Sequence, residues 1–268
     1  MNGRRSRTKA LGALLALTFA CLSVPARAQS TGDETAMGQQ VYDQLKSQGE
    51  IVASSPLYNT LDPIARDITR IVQPQYPYPI HFYIVHEKDP NAFAAPGGNV
   101  YVVDSLFYFV HNREELAGTI CHEMSHLIHH DSARKIKHDE AIRNREIAGA
   151  ILLGPTWKEA VLASIIGNLD SLHFSRSEEE SADLTGADTC AAANSNPWGL
   201  VWLFNDFQGA HFQTPPEILS DHPDNTDRIK ALERYFSENP ATFARFSSNP
   251  KTATPLKLPD NKSEKILK

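Results

Sequence analysis

Two histidines and a glutamate in the segment His122–His126 (HEMSH) are the residues of this 268-residue chain that most directly suggest chemistry. In a helix, His122 and His126 would lie one turn apart on the same face, so both imidazoles could bind one metal ion. Zinc in hydrolytic sites commonly binds two histidines and one carboxylate and leaves a fourth position for water. The segment therefore predicts a zinc site in which Glu123 is the general base for attack of zinc-bound water on a carbonyl.

A third ligand must be a carboxylate from elsewhere in the chain, and the sequence offers two main candidates. Glu146 follows His126 by 20 residues, a spacing found in thermolysin-type enzymes, but the Asn-Glu-x-x-Ser-Asp context of that group is missing. Glu179 lies near the start of a predicted helix, with Asp183 one turn later on the same face. We favour Glu179 as the ligand, with Asp183 holding a ligand histidine from behind. For the run Glu178–Glu180, the alternative is a solvated acidic first turn favoured by the helix dipole.

Capping signals indicate where the helices that carry these residues begin. Asn112 with Glu115 three residues later is typical of a helix N-terminus, and no proline interrupts the sequence from there through both histidines. Ser177 with Glu180 predicts the start of a second helix, which should end near Ala193. The sequence therefore predicts that two separate helices supply the metal ligands.

The remaining elements predict an α+β fold. Periodic apolar residues and turn signals indicate helices at 33–47, 61–72, 133–147 and 223–236, and strands at 80–85 and 99–103. We expect a helix-rich single catalytic domain with a small β-sheet packed on the metal-binding helix. A cleft between the sheet edge and that helix would let an extended peptide add as a strand.

The first 28 residues have the features of an export signal. Four basic side chains precede the apolar stretch Leu11–Val24, and the sequence Ala-Arg-Ala ending at Ala28 forms a cleavage pattern. The stretch is short for a membrane span. We therefore expect a periplasmic or secreted protein that starts at Gln29, with a lipoprotein anchor through Cys21 as the weaker alternative.

Charge and length limit the partners and the number of domains. Without the signal, 21 of the 26 basic side chains remain against 32 acidic ones, giving a net charge of −11. This negative charge argues against nucleic acid and against an anionic membrane surface as partners. The length suits one domain, expected at 29–247, followed by a disordered tail at 248–268 that is rich in proline, lysine, asparagine and serine.

Residues 148–167 form an internal apolar stretch that is long enough to be considered as a membrane-spanning segment. Glycine and proline at 154–155 and a charged pair at 158–159 interrupt it, so a spanning helix is disfavoured. We expect two packed helical segments instead. A hydrophobic surface flap, which would permit peripheral membrane association, is the alternative.

The two cysteines beyond the signal, Cys121 and Cys190, are expected to be reduced and buried. An oxidising compartment would permit a disulfide. However, an unbroken helix would carry Cys190 about 16 Å along its axis from Glu179, whereas Cys121 is expected at the Glu179 end. This geometry disfavours the bond.

Four motifs occur in an order that resembles a known family. The segment Asn91–Gly98 (NAFAAPGG) precedes a strand, the His-Glu-x-x-His motif follows, and Ser175–Asp183 (SRSEEESAD) comes next. His222, followed by proline, and Arg228 complete the series. Over residues 34–236 the chain resembles the zinc metallopeptidase family of the CAAX prenyl endopeptidase, the bacterial heat-shock membrane protease and soluble periplasmic relatives.

This resemblance implies roles for further residues. Glu179 would be the third zinc ligand, and His222 would lie near the metal, steadying the transition state or capping zinc in a resting form. Arg228 belongs to the same motif as His222. The residues that would line the cleft for the substrate backbone are Asn91, Ala92, Phe93 and Ala94. The sequence departs from the family pattern in two ways. Ser181 stands where the family commonly has a glutamate, and the membrane-spanning and helical-repeat regions of some members are missing. A minimal soluble form is therefore expected.

The predicted function is that of a zinc-dependent metalloendopeptidase with one Zn²⁺ per chain, acting on unfolded or misassembled proteins in envelope quality control. The alternative is a zinc-containing chaperone-like or binding protein, whose peptidase site is latched by His222 as a fourth ligand. An envelope-anchored scaffold that uses residues 148–167 is a third interpretation.

Overall fold

A small mixed β-sheet and the helices around it make up the part of the chain that the computed structural model describes, residues 31–147, 174–209 and 225–259. The elements in chain order are α1 (Thr31–Gln48), β1 (Ile51–Val52), α2 (Tyr58–Val72), β2 (His81–Val85), β3 (Ala92–Ala95), β4 (Asn99–Val103), α3 (Asp104–Phe109), α4 (Arg113–Ile128), α5 (Asp131–Ile147), α6 (Arg176–Ala192), α7 (Trp198–Gly209), α8 (Asn225–Glu238) and α9 (Pro240–Phe243). Short 3₁₀ turns occur at Gln73–Gln75, Pro96–Gly98 and Pro250–Thr252. The predicted α+β class, helix-rich with a small sheet, is confirmed.

The four strands lie in the order β1-β2-β4-β3, so β3 forms one edge of the sheet. Strands β2 and β4 pair in parallel, and β3 pairs antiparallel with β4, placing Phe93 opposite Tyr101. The neighbouring strands β2 and β4 agree with the sequence prediction, whereas β3 was not predicted. Its sequence Ala-Phe-Ala-Ala is short, and its small side chains give no alternation of apolar and polar residues.

Both faces of the sheet are covered. Alternate residues of β4 face opposite sides: Val100 and Val102 belong to the main core, which also contains Met124 of α4. Tyr101 belongs to a second core with Met37 of α1. Because the faces are buried, the strand β4 carries apolar or aromatic side chains from Val100 to Val103.

Helix α4 lies inside the molecule, since every residue from Glu114 to Leu127 is buried. Two glycines on neighbouring helices permit the close packing. A Cβ atom at Gly186 of α6 would lie 3.2 Å from the Cα atom of His122, and one at Gly199 of α7 would collide with the carbonyl of Glu114. The polar residues of α4 are therefore held in the interior, where they need partners.

The caps of the two ligand-bearing helices agree only in part with the prediction. Asn112 accepts a hydrogen bond from the Glu115 N–H, as expected. Helix α6, however, is capped by Ser175, which forms a capping box with Glu178. Two overlapping Ser-x-x-Glu patterns are present, and the prediction used the later one, which begins at Ser177. In this helix the side chain of Glu179 is buried, whereas that of its neighbour Glu180 is exposed.

Cys121 and Cys190 form a disulfide with a Cα–Cα distance of 5.8 Å, so the prediction of reduced cysteines is wrong. The error lies in the placement of Cys121 relative to α6. Gly186 packs against the backbone of Cys121, and Cys190 follows one helical turn later. Cys121 therefore lies beside the second half of α6 and not at the end that carries Glu179.

Residues 248–259 have a defined path, in contrast to the disorder predicted from their composition. The backbone N–H and the hydroxyl of Thr254 both donate to the carboxylate of Glu114, at 2.8 and 2.7 Å. The Thr254 carbonyl accepts from the Arg113 N–H at 2.9 Å. The segment is held by the polar groups at the start of α4, which a composition argument does not consider.

Several predicted features lie outside the described residues: the signal at 1–28, the apolar stretch 148–167, the start of the helix at Pro223 and the chain from residue 260 onward. Within the described ranges, no helix is long enough and apolar enough to cross a membrane.

Candidate metal centre

The two histidines of α4 meet as the helical spacing requires. The Nε2 atoms of His122 and His126 lie 3.1 Å apart, and both side chains are buried. Their rings are nearly perpendicular, with an interplanar angle of 89°. Both Nε2 atoms therefore approach one point beside the helix.

Glu179 of α6 brings its carboxylate to the same point. Its Oε2 atom lies 3.6 Å from His122 Nε2, and its Oε1 atom lies 3.6 Å from His126 Nε2. Ligand atoms around a tetrahedral zinc ion, with bonds of about 2.0–2.1 Å, lie roughly 3.3–3.4 Å apart. His122, His126 and Glu179, here called the inner group, thus have a spacing that could hold a metal ion.

Asp183 and Arg228 hold the side chains of the inner group in position. The Oδ1 atom of Asp183 lies 2.9 Å from His122 Nδ1, the ring nitrogen opposite the shared point. Arg228 of α8 donates two hydrogen bonds of 2.7 Å to the Asp183 carboxylate. Its Nη1 atom also lies 2.9 Å from Glu179 Oε2. Such bidentate contacts fix the positions of the two carboxylates. Asp183 in turn fixes the orientation of the His122 ring.

The guanidinium of Arg228 stays charged although it is buried. Burial alone would lower its pKa, but the negative charges of Asp183 and Glu179 raise the pKa above its ordinary value. The guanidinium also lies 4.2 Å from the centre of the Phe204 ring, an arrangement that favours a cation. One buried positive charge therefore offsets part of the negative charge of the carboxylates.

Asp131 is a site residue that the sequence analysis missed. Its Oδ2 atom lies 2.7 Å from His126 Nδ1, so it supports His126 as Asp183 supports His122. Burial opposes ionisation of Asp131, but hydrogen bonds from His126 and His129 hold its pKa below the usual range. The chain turns back after α4 through His130, whose φ is 56°, and this turn brings Asp131 to the ring. An Asp five residues after the second histidine is the signal in the sequence, but helical periodicity does not predict the turn.

Glu123 is fully buried next to the inner group. Burial raises its pKa to about 8, and the negative charge of Glu179 adds to the shift. The charges of His126 and Arg228 and a hydrogen bond from the Ala94 N–H oppose the increase. A carboxylate that binds protons this readily is suited to general-base catalysis near neutral pH.

The residues predicted to contact a substrate backbone lie on and beside the edge strand β3. Ala92, Phe93 and Ala94 are in the strand, and Asn91 directly precedes it. The Asn91 Oδ1 atom accepts a hydrogen bond of 2.8 Å from the Ala92 N–H. Its Nδ2 atom is buried and has no hydrogen-bond partner among the described residues. The structure therefore brings an available donor to the strand that contacts Glu123.

Two candidates from the sequence are not placed. His222 lies outside the described residues, and nothing is described of the side chain of Glu146. The position of His222 near the metal stays a prediction.

A second set of metal-ligand side chains lies near the beginning of α4. The Nδ1 atom of His111 lies 2.9 Å from Asp206 Oδ2 and 3.7 Å from Glu115 Oε2. These three residues, here called the outer group, border a cavity of about 790 Å³ that Trp198 and Trp202 also line. The described part of the chain thus contains two groups that meet the distance requirement for a metal ligand set.

Comparison with known proteins adds a family. Residues 59–236 match the model of Peptidase family M48. The beta-barrel assembly-enhancing protease of Escherichia coli (strain K12) is 26% identical over 204 residues, which cover 72% of this chain and 42% of that protein. The mitochondrial metalloendopeptidase OMA1 of Schizosaccharomyces pombe is 26% identical over 212 residues, covering 76% of this chain and 61% of that protein. The chain thus spans less than two thirds of the length of each of these relatives.

Proposed function

Because this chain belongs to peptidase family M48, we propose that it is a zinc-dependent endopeptidase whose active site is the inner group with Glu123. The observation that carries the proposal is the buried convergence of His122, His126 and Glu179, with Glu123 between this group and the edge strand β3. The matched region, residues 59–236, contains all of these residues.

The donor set fits zinc in number, type and spacing. Two imidazoles and one carboxylate are the ligands of many hydrolytic zinc sites, and the observed separations of 3.1 and 3.6 Å are close to those of a tetrahedral ion. Asp183 and Asp131 hold the two rings by their Nδ1 atoms, which leaves both Nε2 atoms for the metal. When bound, zinc would supply a Lewis acid that polarises the scissile carbonyl and acidifies water.

Glu123 is proposed as the general base. Its carboxylate would accept a proton from the attacking water and then deliver it to the nitrogen of the leaving amine. Burial raises the pKa of Glu123 to about 8, which makes this carboxylate a stronger proton acceptor than an exposed one. The positive charge of a bound zinc ion would lower this pKa toward the working pH.

The edge strand β3 is proposed as the substrate-binding strand. An extended peptide running along β3 would present its backbone to the carbonyl of Ala92 and to the Nδ2 atom of Asn91. This Nδ2 atom is a buried donor without a partner in the described part of the chain, so a substrate carbonyl would satisfy it. His222 is proposed to approach the same cleft and to steady the transition state.

The location and the substrates are proposed from two sources. Residues 1–28 would direct export, with cleavage after Ala28, and the mature enzyme would be periplasmic or secreted. The bacterial relatives carry the name beta-barrel assembly-enhancing protease. We infer that unfolded or misassembled envelope proteins are the substrates.

The test is a measurement of zinc content together with cleavage of unfolded casein, on protein purified after export. Wild type is expected to contain one zinc ion and to cleave casein, and Glu123→Gln to keep the zinc but lose about 10²–10⁴-fold in rate. Cleavage that appears only in His222→Ala would indicate a latched enzyme. Wild-type protein without zinc would contradict the proposal.

A further inference from the structure

The edge strand β3 does not expose all of its outer backbone groups. In an antiparallel pair, alternate residues direct their N–H and C=O groups toward the partner strand. The Val103 N–H donates to the Asn91 carbonyl at 2.9 Å, so Asn91 is one of the residues bonded to β4. Ala92 and Ala94 therefore direct their backbone groups away from β4.

At Ala94, both of these outer groups already have partners within the chain. The Ser132 hydroxyl donates to the Ala94 carbonyl at 2.7 Å, and Ser132 is 3% exposed. The Ala94 N–H donates to the Glu123 carboxylate. Ala94 thus connects Ser132, at the beginning of α5, to the proposed general base Glu123.

Ser132 directly follows Asp131, the residue that supports His126. Two consecutive residues at the beginning of α5 therefore contact two different parts of the site. Asp131 contacts His126, a proposed metal ligand, and Ser132 contacts the edge strand β3. Because both belong to one helical turn, their separation is fixed by the helix. This turn couples the position of β3 to the position of the inner group.

We propose that Ser132 is a positioning residue for peptide hydrolysis: it fixes β3 at Ala94, and so sets where the substrate and Glu123 meet. This inference rests on the proposed function. A peptide that adds to β3 would find the Ala94 carbonyl occupied and would pair with the Ala92 carbonyl instead, so the bond to Ser132 also sets the register of the substrate. Without it, the strand would be free to shift and Ala94 would offer a competing acceptor.

The experiment compares Ser132→Ala with Ser132→Thr, which keeps the hydroxyl. Ser195→Ala is the matched control, because Ser195 is also buried but its hydroxyl has no hydrogen-bond partner among the described residues. Steady-state cleavage of a peptide substrate identified from the casein digest, normalised to bound zinc, gives kcat and KM. Amide hydrogen exchange measured by mass spectrometry reports on β3 and needs no activity.

We expect Ser132→Ala to bind zinc as wild type does, to raise KM, and to lower kcat/KM by about three- to tenfold, the effect of one hydrogen bond. Exchange should become faster in the peptide that contains Phe93–Ala95 and stay unchanged in β2. Ser132→Thr should restore both properties, and Ser195→Ala should change neither.

Unchanged exchange in β3 in Ser132→Ala would overturn the inference whether or not the protein is a peptidase. A proportional fall in zinc content and activity, without a change in KM, would also overturn it, because that pattern indicates partial unfolding. If wild type does not cleave any peptide, the proposed function fails, whereas the exchange result still decides whether Ser132 fixes the strand.

Discussion

The inner group on the second half of helix α4 and the outer group near its beginning both combine histidines with carboxylates, but in different surroundings. In the inner group all three side chains are buried, whereas in the outer group the side chain of His111 is 70% exposed and that of Asp206 is 34% exposed. Distances between ligand atoms are similar, 3.1–3.6 Å in the inner group and 2.9–3.7 Å for the contacts of His111. Distance alone therefore does not distinguish the groups.

The two groups differ in the residues that hold the ligand side chains in place. Each inner histidine has a buried aspartate on its second ring nitrogen, and Arg228 offsets the charge. In the outer group, the Glu115 carboxylate already accepts hydrogen bonds from the backbone N–H of His111 at 2.6 Å and from Asn112 Nδ2 at 2.5 Å, as part of a helix cap. A metal site is therefore recognised by its supporting residues more than by its ligand types. We expect zinc in the inner group only.

Loss of a ligand should have the largest effect and gives the most direct test of the comparison. His126→Ala removes one of three protein ligands, so the zinc content should fall from about one per chain to near zero, and cleavage should stop. His111→Ala, the matched change in the outer group, should leave both unchanged. Zinc content by plasma mass spectrometry and casein cleavage measure the result. Equal loss of zinc in the two variants would contradict the distinction.

Removal of the buried positive charge of Arg228 should have the second-largest effect. Arg228→Met leaves Asp183 and Glu179 without their positive partner, so the free energy of unfolding should fall by about 3–5 kcal/mol. Arg113→Gln is the surface control, because Arg113 pairs with the half-exposed Asp67 at 3.3 Å, and it should cost about 1 kcal/mol or less. Urea unfolding of both variants measures the difference. Similar losses would mean that burial of the inner charges is not what matters.

The supporting aspartates should have an intermediate effect. Asp131→Asn keeps the shape but weakens the contact with His126, so the zinc dissociation constant should rise by about 10–100-fold. Asp206→Asn makes the same change in the outer group and should leave zinc affinity as it is. Competition with a zinc chelator gives both constants, and an unchanged affinity in Asp131→Asn would remove Asp131 from the site.

The smallest effect is expected at an exposed histidine–aspartate contact. His86 lies 2.5 Å from Asp104 on the surface, and this hydrogen bond and charge raise the pKa of His86. A raised histidine pKa stabilises the fold below the ordinary value of about 6.5, and that contribution is lost as the pH rises through the raised pKa. Asp104→Asn should return the pKa of His86 toward 6.5, seen by NMR titration, with at most about 1 kcal/mol of stability lost. A larger loss would show that surface pairs here resemble the buried ones.

Patterns within one helix or strand predicted what is local. The spacing of His122 and His126, the spacing of Glu179 and Asp183, and the strands β2 and β4 were all predicted, because side-chain periodicity follows from backbone geometry. The short strand β3 lacks such a period and was not predicted, and the resemblance to a family motif indicated only a role for its residues. Two overlapping cap patterns around Ser175 could not be separated by local rules.

Only the tertiary structure decided which of these local pieces meet. The amino-acid sequence by itself determined the donor types and their faces on each helix. The alignment of α6 against α4 decided the disulfide between Cys121 and Cys190, and the turn at His130 decided that Asp131 and Ser132 reach the site. Such contacts depend on how buried surfaces pack and how buried polar groups are satisfied. These are properties of the whole fold, and spacing along the chain does not contain them.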